Sequence, residues 1–289
     1  MEDVRLVLDL VLALGAACLG GLVARKLGQP VLLGYVVAGA LIGENTPGLS
    51  AEFDRVQLLA TLGAAFLMFA LGVEFSFNEL KRVRRIAFVS GGIQIPITLA
   101  VGTGAGLLIG WGTEAALLLG CAFAISSSIV ALKLLFGRGE GESPQARVAL
   151  GLGVVQDLSL VPMLALLPLL SGGDDVVLGL VRSLATAAVA LSAVILLGTR
   201  VVPKILYFVA KTESRELFLL TVIFIALGTA YASHEAELSL ALGAFLAGLV
   251  VSESEFDSQV LADIIPIRDV FATLFFVSLG MLIVPSAIL

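Results

Sequence analysis

The chain has 289 residues, 59% of them hydrophobic and only 14% charged, with a formal net charge of −6. That balance excludes an ordinary soluble domain and fits a helical protein that crosses a membrane many times. The net charge identifies no partner, and no basic patch interleaved with aromatics speaks for nucleic acid.

Apolar runs bounded by glycine, proline and charge predict about ten helices, an all-α polytopic transmembrane bundle. The expected spans are 6–24, 30–43, 56–73, 86–110, 115–136, 146–170, 176–199, 216–232, 238–251 and 270–288. The second and ninth are short for a crossing of ~20 residues, so tilt or partial burial is expected there. The start, Met1-Glu2-Asp3-Val4-Arg5, puts acid ahead of a long apolar run and is a poor signal-peptide pattern. Cys18 and Cys121 fall inside apolar segments as space fillers, so neither a disulfide framework nor a thiolate metal site is expected. No cofactor is called for.

The connecting segments carry the orientation. One side collects Arg25, Lys26, Lys81, Arg82, Arg84, Arg85, Lys133, Arg138, Arg147, Arg200, Lys204, Lys211, Arg215 and Arg268; the other has Arg5, Arg55 and Arg182. This asymmetry assigns the first side to the cytoplasm and the N-terminus to the outside of a cell (inner) membrane.

The chain also repeats itself. Gly34-Tyr35-Val36-Val37-Ala38-Gly39-Ala40 is similar to Gly243-Ala244-Phe245-Leu246-Ala247-Gly248-Leu249, 209 positions later. Phe66-Leu67-Met68-Phe69-Ala70-Leu71-Gly72 is similar to Leu274-Phe275-Phe276-Val277-Ser278-Leu279-Gly280, 208 positions later. The predicted topology runs the paired segments in opposite senses, an inverted repeat of the kind that builds many secondary transporters. On this reading 1–170 is a first repeat, 171–212 a linker helix and 213–289 the first half of a second repeat. A full counterpart of helices 4–6 would end roughly 90 residues beyond Leu289, so the sequence reads as a fragment or a shortened relative.

Two polar clusters lie at mid-membrane depth. In the sixth predicted helix, Gln156-Asp157 sits about ten residues from either end of the apolar stretch 146–170. At ~1.5 Å per residue that is near the bilayer centre, where a carboxylate is costly and normally faces a protein-lined cavity to handle ions or protons. In the fifth, Ser126-Ser127-Ser128 points in different directions around a helix and cannot pack on one neighbour. The plainer reading of the serines is close packing with hydroxyls bonded one turn back. Beside Gln156-Asp157, a locally unwound segment offering hydroxyls and freed carbonyls to an ion becomes the better reading.

A carboxylate, an amide oxygen, hydroxyls and carbonyls are all hard oxygen donors, suited to a monovalent cation and offering nothing to soft metals. Asp157 can hold a proton or a cation but not both well, and that competition suffices for exchange. With neutral Gln156 beside it there is one ionisable group, which predicts about one proton per cation and weak dependence on voltage.

Leu33-Gly34-Tyr35-Val36-Val37-Ala38-Gly39, Phe66-Leu67-Met68-Phe69-Ala70-Leu71-Gly72-Val73-Glu74, Ser126-Ser127-Ser128, Gln156-Asp157 and Leu274-Phe275-Phe276-Val277-Ser278-Leu279-Gly280-Met281 together resemble the Kef-type branch of bacterial monovalent cation:proton antiporters. The resemblance implies an inverted-repeat antiporter fold in which Gln156 and Asp157 form the cation site near an unwound crossing. It implies exchange of K⁺, favoured over Na⁺, for H⁺, in a homodimer of thirteen-helix protomers moving like an elevator. Alternatives are a sodium-coupled organic solute symporter, which needs a substrate cavity and usually two ion sites, and a cation-binding sensor that does not transport. No nucleophile–base pair or metal cluster suggests an enzyme.

Other polar residues have plainer readings. Gln94 and Pro96 suggest a kink with a satisfied amide, although they could line the ion path. Glu74 reads as part of a surface ion pair, and His234 with Glu235 and Glu237 as a solvated loop.

Overall fold

The computed structural model describes residues 2–43, 51–75, 77–170, 176–236 and 238–283. Among them the regular elements are all helices: α1 (Glu2–Lys26), α2 (Val31–Ile42), α3 (Phe53–Glu74), α4 (Phe77–Leu108), α5 (Thr113–Ala124), α6 (Ser128–Gly137), α7 (Pro144–Leu170), α8 (Val176–Ala210), α9 (Arg215–Glu235), α10 (Leu240–Val251) and α11 (Asp257–Met281). The all-α membrane architecture is as expected. Ten predicted segments become eleven helices because the segment 115–136 is broken in two.

Among the described residues, six stretches are long and apolar enough to cross a bilayer: Arg5–Lys26, Val56–Glu74, Lys81–Leu108, Thr113–Gly137, Ala188–Ala210 and Arg215–Glu235. The fourth of them is α5 and α6 taken together. Large apolar side chains stand on the outside of these helices, with Val11 61%, Val101 66% and Phe224 76% exposed. In hydrocarbon such exposure carries no hydrophobic cost, because lipid tails are as apolar as the side chains.

Several helices run past their apolar spans. α4 begins at Phe77 rather than 86, α8 continues to Ala210 rather than 199, and α11 begins at Asp257 rather than 270. The added turns carry Lys81, Arg82, Arg84 and Arg85 in α4, and Arg268 and Asp269 in α11. Hydropathy marks where the surroundings are apolar, whereas backbone hydrogen bonding continues through charged turns that water can solvate. Positions 284–288 of the last predicted span lie outside the described residues.

The chain packs as two compact units, Met1–Ala70 with Ser258–Leu289, and Leu71–Asp257. These boundaries follow packing, whereas the expected repeat boundaries at 170 and 212 follow the order of similar segments. In the first unit Gly20 and Ala24 of α1 meet Gly34 and Ala38 of α2, small residues that let two backbones approach closely. Ala13, Ala17, Val56, Leu274, Val277 and Met281 form its core. In the second unit Gly102 and Gly106 of α4 face Gly120 and Ala116 of α5, the same device. Every residue of α10 from Leu242 to Val251 is buried, as suits a helix apolar on all sides.

One helix crossing occurs in both units. A Cβ added at Gly72 of α3 would fall on the carbonyl oxygen of Phe245 and against the nitrogen of Leu249 in α10. A Cβ added at Gly280 of α11 would fall on the carbonyl oxygen of Val36 and against the nitrogen of Ala40 in α2. Phe245 and Leu249 lie 209 positions after Val36 and Ala40, and Gly280 lies 208 positions after Gly72. Atom for atom, the two crossings correspond.

Candidate functional site

α5 stops at Ala124 and α6 starts at Ser128, and the residues between them are extended, with Ile125 at φ −107°, ψ 119° and Ser127 at φ −71°, ψ 100°. Local chemistry favours the break. Ile125 is β-branched and stiff, and serines offer the backbone hydrogen bonds that compete with a helix. The Ser127 hydroxyl accepts from the backbone N–H of Val130 at 3.3 Å and caps the start of α6. The unwound segment expected around the serines is therefore present, over 125–127.

A break inside an apolar helix orphans backbone groups that must find partners. Two side-chain amides supply them. The Ser126 N–H donates to Gln156 Oε1 at 3.2 Å. Gln156 Nε2 donates to Gln94 Oε1 at 2.7 Å. Gln94 Nε2 in turn donates to the Ala124 carbonyl at 3.1 Å and to Thr98 Oγ1 at 3.0 Å. Gln94 is thus a satisfied amide, as the sequence suggested, but its partners tie α4 to α7 and to the Ala124 edge of the break. Its link to Gln156 and the part of Thr98 were not foreseen. The available signal was a lone amide with a hydroxyl four residues on, in an otherwise apolar stretch.

The next question is which way the carboxylate faces. Gly153, Gln156 and Asp157 lie three and four residues apart on α7 and share one face. At Gly153 a Cβ would collide with the Cβ of Ser128, so this face is turned to the start of α6. Gln156 is buried, at 2% exposed. Asp157, one residue on, is half-buried, and among the described residues its carboxylate has no hydrogen bond or ion pair. The structure therefore separates two neighbours: the amide is engaged with protein and the carboxylate is open.

The three serines take different parts. Ser126 joins through its backbone N–H, Ser127 caps α6, and Ser128 packs against Gly153. Among the described residues no group of three His, Cys, Asp or Glu side chains gathers as a metal would require. A single carboxylate beside amide, hydroxyl and carbonyl oxygens suits one monovalent cation or one proton. Away from this site, His234 is exposed and Glu237 lies outside the described residues. Glu74 is half-buried, with its Oε2 closed to solvent.

Comparison with known proteins places this geometry. Residues 13–289 match the family model described as sodium/hydrogen exchanger, transmembrane. K(+) efflux antiporter 5 of Arabidopsis thaliana is 35% identical over 286 residues, covering 97% of this chain and 50% of that protein. A protein of the phaC 3′ region of Methylorubrum extorquens is 39% identical over 85% of this chain and 96% of its own. The chain spans about half the length of the curated antiporters it matches, as with the Arabidopsis protein. The solved sodium proton antiporter MjNhaP1 of Methanocaldococcus jannaschii superposes with a TM-score of 0.68, covering 99% of this chain and 72% of that one at 20% identity. That likeness is one of fold.

Proposed function

Because the chain belongs to the sodium/hydrogen exchanger family, whose members are multi-pass membrane transporters and not enzymes, we propose that it exchanges a monovalent cation for H⁺ through Asp157. The observation carrying this reading is the open, half-buried Asp157 carboxylate on the α7 face turned to the broken helix. A proton and a dehydrated cation compete for that carboxylate, so release of one permits capture of the other. Gln156 and the Ser126–Ser128 segment complete the oxygen-rich surroundings.

K⁺ is favoured over Na⁺. In support, relatives at 34–35% identity are named K(+) efflux antiporters, and the residue beside Asp157 is a neutral amide, leaving one charge to neutralise. The corresponding crossings at Gly72 and Gly280 support an internal repeat, of which 1–170 is the first member, 171–212 the linker and 213–289 the start of the second. The resemblance to Kef-type antiporters supports a homodimer in a cell membrane, and the Lys/Arg asymmetry supports an external N-terminus.

The test is proton movement in proteoliposomes carrying an internal pH dye, on addition of K⁺, Na⁺ or Li⁺. Cation-driven proton flux that is lost in Asp157→Asn, with K⁺ the most effective ion, is the expected outcome. Flux unchanged in Asp157→Asn overturns the role of that carboxylate. Folded wild-type protein without cation-dependent flux overturns the exchange reading.

A further inference from the structure

The hydrogen bonds around the break form a one-way chain. It starts at a backbone donor, Ser126 N–H, and ends at a backbone acceptor, the Ala124 carbonyl, two residues apart on the same broken segment. Between them each glutamine accepts once through its oxygen and donates onward through its nitrogen. Amide oxygen and nitrogen are assigned from such networks, and here the two backbone ends fix the assignment. Reversing the amides would set donor against donor at Ser126 and acceptor against acceptor at Ala124.

We infer that Gln94 is a positioning residue for the ion site: with Gln156 it forms an amide relay that replaces the helical hydrogen bonds lost at the break, and the relay requires a neutral, donating side chain at both positions. Gln94 touches neither cation nor proton. It holds the Gln156 amide with its oxygen toward Ser126 and thereby fixes the backbone edges beside which Asp157 lies. Both hydrogens of Gln94 Nε2 are used, one on Ala124 and one on Thr98, so it has no freedom to turn without orphaning a backbone carbonyl. An ionised carboxylate at either position would place acceptor against acceptor, at Gln94 Oε1 or at the Ala124 carbonyl. The relay thus explains why Asp157 stands beside an amide and why the site carries one charge. This inference deepens the exchange reading and depends on it for its transport readout.

A protonated carboxyl group has one donor and one acceptor, which is all the Ala124 and Gln156 links of the relay ask of position 94; an ionised one has no donor. Gln94→Glu and the near-isosteric apolar Gln94→Met are therefore compared by two measurements from about pH 5 to about pH 8. Cation-driven proton flux in Gln94→Met is expected to fall on the order of tenfold at every pH, because two buried polar groups lose their partner. Flux in Gln94→Glu is expected to approach the wild type at the acidic end and to drop toward the Gln94→Met level as pH rises. The melting temperature in detergent should follow the same course, with Gln94→Glu above Gln94→Met in acid and losing that margin on the alkaline side. This second readout needs no transport. If wild-type protein moves no ions yet the pH-dependent margin is found, the relay stands and the exchange reading fails. Should Gln94→Met not fold, the melting profile of Gln94→Glu against wild type decides, a margin that widens with rising pH supporting the relay. Identical behaviour of the two variants at every pH, or wild-type flux and melting in Gln94→Met, would overturn it.

Discussion

The break at 125–127 and the glycine crossings at Gly72 and Gly280 solve opposite problems of a membrane helix. At the crossings the backbones come so close that no side chain fits, and contact is made by the absence of atoms. At the break the backbone has lost its own hydrogen bonds, and contact is made by particular polar atoms brought from two other helices. A crossing of the first kind is specified by size alone and recurs in both units. A break of the second kind depends on the identity and direction of each group. At the crossings side chains are removed; at the break polar side chains are added, and Gln94, Gln156 and Ser127 are engaged with backbone groups. Asp157, beside the engaged Gln156, keeps a carboxylate with no hydrogen bond or ion pair among the described residues, as the proposed exchange requires.

Substitutions can break that contrast, beginning with the largest expected effect. Asp157→Asn should reduce cation-driven proton flux to the level of empty liposomes while the melting temperature in detergent stays near that of the wild type. The carboxylate makes no described contact that folding would miss. Gly280→Leu and Gly72→Leu should do the reverse and cost folding directly. A side chain there overlaps main-chain atoms that cannot step aside, an overpacking of about 3 kcal/mol or more, read as a lower melting temperature and reduced folded yield. Equal effects of the two would sharpen the correspondence between the crossings. Between these extremes lies Gln94→Met, with flux lowered on the order of tenfold.

The serines sharpen the comparison at the small end. Ser127→Ala removes the cap of α6 and should cost about 1 kcal/mol, measured by thermal unfolding. Ser126→Ala should change stability by less than about 0.5 kcal/mol, because Ser126 joins the network through its backbone N–H, which alanine keeps. If Ser126→Ala abolished ion-driven flux without unfolding the protein, its hydroxyl would be a cation ligand and the relay would be only part of the site.

Much of this was written in the chain itself. Composition and the spacing of apolar runs determine a polytopic helical bundle, because a bilayer forces each crossing to satisfy its own backbone and that requirement is local. The depth of Asp157 makes it the functional candidate for the same reason: the cost of a charge in hydrocarbon is read from its neighbours in sequence alone. Repeated segments are visible because equivalent crossings need the same small residues, Gly72 and Gly280, at equivalent places. The tertiary structure alone decided the rest. Sequence could not pair Gln156 with Gln94, 62 residues away, or with Ser126, 30 residues away. It offered three serines of equal standing, and only packing gave one the cap, one the relay and one the contact with Gly153. It ended helices at the edge of their apolar runs, where hydrogen bonding carries α4, α8 and α11 further. Which polar atoms meet depends on how helices from distant parts of the chain cross, and hydropathy carries no record of that.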